Sequence, residues 1–294
     1  MTVSKTAFPR VSKEPVRLER LSLTSPVSSP LMRVVTLLSD FGLGDGYVAQ
    51  MKGTILDLCP NAVITDISHD IERYNIPMGS FILETSAPYF PEDTIHVAVV
   101  DPGVGSARKA IVAECNAGLL IGPDNGLMAR ASEKLGLKSI YEIREKEFQR
   151  KPVSSTFHGR DVFAYAAGLI ASGRKPKEVG PKVSKLERLN LVPPKLSGKS
   201  LICHVLHVDN FGNVVTDVEE RMAQRIPVTV GDTVEIRSWT RKLQARYVRS
   251  YYDVGKGDMA LLLGSQGFLE IAVREGSARD KLDVKALDHL ELQF

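Results

Sequence analysis

The stretch DPGVGSAR, residues 101–108, closes the apolar run TIHVAVV with an acid and places an arginine seven residues later. Such a loop is either a plain turn or a device that holds a carboxylate and a guanidinium on either side of a small ligand. Asp101 shares its setting with Asp40, which follows VVTLLS and leads into FGLGDGY. In open α/β sheets ligands bind in the crevice beyond such strand ends. An acid there, before a glycine turn into a helix, has the chemistry to accept both hydroxyls of a ribose, although Asp before glycine equally suits a turn. His158, in STFHGRDVF, precedes a predicted helix and lies outside any obvious core position. Its imidazole is suited to proton transfer near neutrality, and equally to a structural role satisfied by backbone partners. In HVDNFGNVVTDV, Asp209 and Asn213 flank Phe211 and a glycine, a set able to bind an amine and a nucleobase edge, or to form a β-turn.

These groups must be positioned by regular elements, and the patterning supplies them. RVVTLL (33–38), AVITDI (62–67), TIHVAVV (94–100), AIVAEC (110–115) and SIYEI (139–143) read as strands. YVAQMKGTILDL places Val48, Met51, Ile55 and Leu58 on one helical face, with Asp45 as the expected N-cap. NIPMGSFILETSAPYF reads as a second helix with Pro77 in its first turn. A third is expected from Arg160 and Asp161, with Val162, Ala166 and Leu169 on its apolar face. Near-continuous Val/Ile strands between helices predict an α/β layer with a largely parallel central sheet. Beyond residue 190 short strand-like segments punctuated by Gly and Asp predict a smaller antiparallel, barrel-like β domain. The expected organisation is an extension over 1–32 that is disordered, an α/β domain over 33–190, a linker over 191–199 and a β domain over 200–294.

Composition narrows the classes. The chain has 294 residues, 43% hydrophobic and 25% charged, ample for a substantial core. A net charge of +3 gives no argument for nucleic acid, and no apolar run reaches the ~18 residues of a membrane-spanning helix. Cys59, Cys115 and Cys203 are far apart, so neither a disulfide framework nor a zinc site is expected, and buried thiols in the cytoplasm are. A targeting peptide in the N-terminal segment is the alternative, against which Glu14 and Glu19 speak. Asp66, His69 and Asp70 lack a second ligand set at recognisable spacing, and His204 and His207 point to opposite faces of a strand, so no metal is expected. The usual phosphate-cradling glycine motifs are absent.

Taken in order, LLSDFGLGDGYVAQMKG, DPGVGSAR, IGPDNGL, STFHGRDVF, HVDNFGNVVTDV and LLGSQGFLEIAVREGSA resemble the S-adenosyl-L-methionine (SAM) hydroxide adenosyltransferase family, related to fluorinase and chlorinase. The resemblance runs from about Val34 to the end. It implies an α/β domain followed by a β domain, hydrolysis of SAM to adenosine and L-methionine, no cofactor, and a homotrimer with ligand between neighbouring subunits. It further implies a catalytic set of Asp101, Arg108 and His158, with Asp40 on the ribose diol. Asp209 then faces the methionine ammonium, Ser265 its carboxylate, and Asn213 the adenine, beside Phe211. The halogenases place an extra loop in the first domain that has no counterpart between Asp101 and Pro123, and no histidine at the His158 position, so water is the expected nucleophile. A halogenase of the same fold, or a SAM or adenosine sensor without turnover, is the alternative.

Overall fold

The computed structural model describes residues 33–294, so the expectation for 1–32 lies outside the described residues. The first sheet comprises β1 (Val34–Ser39), β2 (Val63–Ser68), β3 (Ile95–Val99), β4 (Ala110–Cys115), β5 (Gly118–Pro123), β6 (Leu137–Glu142) and β7 (Lys182–Val183), in the order β2-β1-β3-β5-β4-β6-β7. The β2, β1, β3 and β5 strands run parallel, and β4, β6 and β7 extend the sheet by antiparallel pairings. Helices α1 (Tyr47–Leu58), α2 (Ile76–Ser86), α3 (Ala129–Lys134) and α4 (Tyr165–Ala171) cover it. Met51 and Ile55 of α1 pack with Ala166 and Ile170 of α4 on one face, against Val35, Leu37 and Val97. Leu83 of α2 and Ala131 of α3 pack on the other, against Leu38, Ala98 and Leu120. Both faces of the central strands β1 and β3 are therefore dry, which is why they read as nearly continuous apolar runs, whereas the edge strand β2 is largely exposed.

Local chemistry explains most boundaries. Asn75 caps α2 by accepting the Met78 N–H at 3.0 Å, and Pro77 sits in its first turn. Asp45 does not cap α1: the helix opens at Tyr47 with Gly46 at the cap and no side-chain bond to it, so the acid stands one residue too early. The third helix is not α-helical from its start. Gly159–Ala164 forms a π-helical turn, with His158 at its N-cap, before α4 begins. The β5 strand, the α3 helix and the last strand were not resolved by periodicity. Gly118 and Gly122 interrupt the apolar pattern of β5, and α3 is too short to show a helical one.

The second sheet comprises β8 (Lys195–Ser197), β9 (Ser200–Val208), β10 (Val214–Glu219), β11 (Thr233–Arg237), β12 (Lys242–Tyr247), β13 (Met259–Leu263), β14 (Phe268–Val273) and β15 (His289–Gln293). Pairing of β10 with both β14 and β9 closes the strands from β9 to β15 into a barrel, and β8 hangs on its edge inside the segment expected to be a linker. All pairings are antiparallel except β12 with β13, which run parallel, so the barrel is mixed. Leu201, Val205, Val234, Leu261, Ile271 and Leu290 fill its interior. Phe81 of α2 meets Phe268 of the barrel edge-on at 5.4 Å, packed with Leu206 and Val215, and joins the two halves of the chain. All three cysteines are buried and free, and burial pushes the Cys115 thiol up to about 12. No helix among the described residues is long and apolar enough to cross a membrane.

Gly122 lies where β5 passes the end of β3, and a Cβ there would run into the Ala98 carbonyl. Gly122→Ala is expected to destabilise the fold by roughly 1–3 kcal/mol through overpacking, read as a lowered urea midpoint with unchanged slope.

Candidate active site

Parallel β1 and β3 are neighbours, with Ser39 opposite Val99, so the residues that follow, Asp40 and Asp101, emerge side by side at the carboxyl edge of the sheet. Asp101 is held there through Asn125 of the IGPDNGL motif, whose Nδ2–H donates to the adjacent Val100 carbonyl at 2.9 Å. The chain then turns through DPGVG. Gly105 adopts φ 78° and lies against the Ser155 carbonyl, where a side chain would clash. This close approach ties the Asp101 loop to the loop that carries His158. Asp161, fully buried, accepts the Ser154 N–H at 2.8 Å and is paired with Arg160, which fixes the other side of that loop. Burial opposes its charge, but the Arg160 guanidinium and the Ser154 N–H outweigh it and hold the carboxyl below the usual range.

The three side chains converge on one guanidinium. Arg108 Nε donates to Asp101 Oδ1 at 2.9 Å, and Nη2 donates to Oδ2 at 2.5 Å. The same Nη2 lies 2.8 Å from His158 Nδ1. Because a guanidinium has no acceptor, Nδ1 must be the acceptor, so the imidazole is neutral and carries its proton on Nε2. Burial first, and then the Arg108 charge, lower the His158 pKa below the ordinary histidine value against the smaller pulls of Asp101 and Asp161. The Arg108 and Asp101 side chains are 11% and 5% exposed, and the guanidinium carbon lies 5.2 Å from the Phe163 ring centre. Removing one member of so buried a pair typically costs about 3–5 kcal/mol, because the other charge is left uncompensated.

Asp40 is held differently. The Tyr74 backbone N–H donates to its Oδ2 at 2.9 Å, and Tyr74 itself has φ 65°. No hydrogen bond from the described residues reaches Oδ1. Phe41, Tyr47 and Phe157 form an aromatic cluster beside this turn, with ring centres 5.1–5.9 Å apart.

In the barrel, Asp209 Oδ1 accepts the N–H groups of Phe211 and Asn213, and Oδ2 accepts Asn213 Nδ2–H at 2.9 Å. Asn213 is buried and Phe211 is 80% exposed. Ser265 lies in the β13–β14 turn. Sequence reasoning missed one residue that belongs to this group. Glu270 of β14 is buried, accepts the Tyr251 hydroxyl at 2.7 Å, and packs against Gly264, the residue before Ser265. Burial raises its pKa and the Asp209 charge adds to the rise, although Tyr251 opposes it. The available signal was a lone acid in the otherwise apolar FLEIAV. Arg274 donates to the Val254 carbonyl at 2.8 Å and stacks on Tyr252.

The structure thus gathers Asp40, Asp101, Arg108 and His158 on the sheet, and Asp209, Phe211, Asn213 and Ser265 on the barrel. It does not bring the two sets together: among the described residues no hydrogen bond or ion pair links them. The large cleft between sheet and barrel, about 990 Å³, is lined by Glu84, Arg130, Arg188, Glu219 and Phe268 and contains none of these residues. It is where the two halves are fastened, Arg130 pairing with both Glu84 and Glu219.

Comparison with known proteins supplies the family. Models of the SAM hydroxide adenosyltransferase N-terminal and C-terminal domains match residues 35–180 and 203–291. The chain is 38% identical over 276 residues to the (R)-S-adenosyl-L-methionine hydrolase of Methanocaldococcus jannaschii, covering 90% of this chain and 97% of that one. A fluorinase of Nocardia brasiliensis is more distant, 24% identical over 282 residues, covering 86% and 94%. The crystal structure of an uncharacterized conserved protein from Thermotoga maritima superposes with a TM-score of 0.84 at 35% identity, covering 88% of this chain and all of that one.

If the Arg108 guanidinium holds His158 neutral, Arg108→Ala removes a positive neighbour while Asp101 and Asp161 remain. The His158 pKa is then expected to rise. Titration of the His158 ring carbon signals by NMR reads this directly, and an unchanged midpoint would mean that the contact carries no electrostatic weight.

Proposed function

The chain belongs to the SAM hydroxide adenosyltransferase family, and we propose that it hydrolyses (R)-S-adenosyl-L-methionine to adenosine and L-methionine. The observation that carries the reading is the shared guanidinium: one arginine engages a carboxylate and a neutral imidazole at the sheet edge that also carries Asp40. Water attacks C5′ of the ribose, the C5′–O bond forms as the C5′–S bond breaks, and the sulfonium leaves as the neutral thioether of methionine. Such a leaving group needs no general acid, and the substrate arrives already activated, so the proposed reaction uses no metal or cofactor. What the site must supply is a positioned, partly desolvated oxygen in line with the leaving sulfur.

The protonation pattern assigns the parts. His158 carries its proton on Nε2, facing away from Arg108, and so donates to the attacking oxygen and directs its lone pair at C5′. Arg108 stays protonated and stabilises negative charge on that oxygen. Asp101 keeps carboxylate lone pairs beyond those used by Arg108 and takes the proton that the water releases as the new bond forms. Asp40 accepts the ribose hydroxyls through its free oxygen. At the other end Asp209 holds the ammonium, Ser265 the carboxylate and Asn213 the adenine edge, with Phe211 alongside.

Those groups stand on separate parts of one chain, and each set is bordered by exposed apolar residues: Leu43 at 66% and Tyr74 at 70% beside Asp40, Phe211 at 80% and Tyr252 at 77% on the barrel. This supports a ring of subunits, a homotrimer, in which one heterologous interface joins the sheet residues of one copy to the barrel residues of the next.

Incubation with SAM and chromatography should yield adenosine and methionine in equal amounts, with no halogenated nucleoside in chloride or fluoride. His158→Ala is expected to lower kcat by ~10²–10⁴ with little change in SAM affinity. In the parent enzyme kcat should fall on the acid side, because a protonated His158 loses its acceptor for Arg108 and faces a like charge. The limb should lie below the ordinary histidine value of about 6.5, and a limb above it would contradict the neutral-imidazole assignment.

Assembly has its own check. Inactive His158→Ala and Asp209→Ala subunits, unfolded, mixed and refolded together, should regain activity, since some interfaces in a mixed ring carry neither lesion. Light scattering reports the mass. Full activity in a monomer, or no recovery in a mixed ring, would show that each chain completes its own site.

A further inference from the structure

A second histidine lies directly behind the Asp40 turn and takes no part in the chemistry above. His69, 3% exposed, follows β2, and its Nδ1 is 2.7 Å from Ser39 Oγ. Its Nε2 lies 3.1 Å from Asp66 Oδ1, a close contact angled away from a good hydrogen bond. Asp66 in turn accepts Lys52 Nζ of α1 at 2.7 Å. The His69 backbone carbonyl accepts the Gly42 N–H at 2.9 Å, and Ser39 Oγ accepts the Phe41 N–H at 3.3 Å. The Asp66 carboxylate can only accept, so the neutral ring carries its one N–H on Nε2 facing it; Nδ1 then accepts the Ser39 hydroxyl proton, while Ser39 Oγ accepts the Phe41 N–H.

The order Ser39, His69, Asp66 has the residue types of a nucleophilic triad, but Ser39 is fully buried with its hydroxyl turned to the imidazole, away from any ligand. What the group grips is Ser39 on one side of Asp40 and, through Phe41 and Gly42, the chain on the other. We propose that His69 is a positioning residue for the nucleoside end of the substrate: with Ser39 and Asp66 it fixes the Ser39–Gly42 turn so that the free oxygen of Asp40 is presented to the ribose diol. This rests on the ribose role given to Asp40 under the proposed function. Without the side-chain relay, the turn keeps the Tyr74 N–H on the Asp40 carboxylate and the Gly42 N–H on the His69 carbonyl but loses the grip on Ser39 and Phe41. With a left-handed Gly42 at φ 68°, part of the binding free energy would then go into ordering it.

The test is calorimetric titration with adenosine and with 2′,3′-dideoxyadenosine. Ser39→Ala, which removes only a buried hydroxyl, and His69→Leu should each weaken adenosine binding by roughly three- to tenfold, the range of one lost hydrogen bond. The dideoxy analogue should bind as before, since it makes no call on Asp40. His69→Asn, whose carbonyl oxygen can take the Nδ1 acceptor position, should restore most of the adenosine affinity. Adding Ser39→Ala to Asp40→Ala should cost nothing further, because the two act on one contact. Equal losses for both ligands, no loss for adenosine, or a full additional loss in the Asp40→Ala background would overturn the assignment. A wild-type protein that binds adenosine and its dideoxy analogue equally would instead remove the diol role of Asp40, and this proposal with it. In that case the hydrolysis of SAM, measured separately by product analysis, still stands or falls on its own.

Discussion

One arginine divided between a carboxylate and an imidazole sets the terms for everything around it. Arg108 brings a permanent positive charge to a place that, for a sulfonium substrate, must receive a second cation. An isolated guanidinium there would repel the substrate, and the repulsion grows as water is excluded. Asp101 answers it with two charge-assisted bonds, and His158 accepts the remaining Nη2–H without adding charge. The cluster is therefore close to neutral as a whole while still presenting an N–H donor and carboxylate lone pairs. A protonated His158 would undo that balance twice, by repelling Arg108 and by repelling the substrate. The lowered pKa is thus a requirement of the chemistry as well as a result of burial.

Such an arrangement depends on two loops from distant parts of the chain, the β3–β4 loop with Asp101 and Arg108 and the loop that carries His158, meeting to within a hydrogen bond. Asp101 is the end of a central strand, Arg108 the lead-in to an antiparallel neighbour, and His158 the cap of a π-helical turn. None would hold its place by local propensity. The loops are held by residues outside this trio: Asn125 donates to the Val100 carbonyl, Asp161 accepts the Ser154 N–H, and Gly105, without a side chain, lets the two loops pack closely at the Ser155 carbonyl. The π turn has a comparable effect. It widens the helix start at the point where Phe163 must lie under the guanidinium, and such turns are common where a functional side chain needs re-aiming.

The strand ends were legible because burial on both faces leaves a long apolar run, and the acid that closes it marks the carboxyl edge of the sheet. Asp40 and Asp101 stand out for that reason. The barrel was visible as a string of short alternating segments, yet its closure was not. β15 is a short segment of alternating Leu and polar residues that gives little pattern of its own, and it earns its place only by bridging β11 and β9. The parallel pairing of β12 with β13 is likewise a matter of tertiary path, invisible to periodicity. Among the polar residues, Glu270 escaped notice because it looks like an interruption in an apolar strand, and His69 was weighed only as a metal ligand beside Asp66 and Asp70 because its other partner, Ser39, comes from a different strand. Distances of that kind are properties of topology.

The barrel carries the opposite electrostatic problem from the sheet. Asp209 and Glu270 are close enough to raise the Glu270 pKa, Glu270 is buried, and its one hydrogen-bond partner among the described residues is the uncharged Tyr251. An acid pair of this kind is destabilising on its own and is relieved when a cation arrives. For the proposed substrate, the amino-acid ammonium is that cation, and it lies several bonds from the reacting carbon. Binding free energy gained there can offset the cost of holding water and C5′ in line at the sheet, which is how groups remote from the chemistry raise its rate. On the proposed reading the neutral cluster at Arg108 and the acidic one on the barrel are complementary: one would tolerate the sulfonium while it reacts, and the other would attract the ammonium that brings it there.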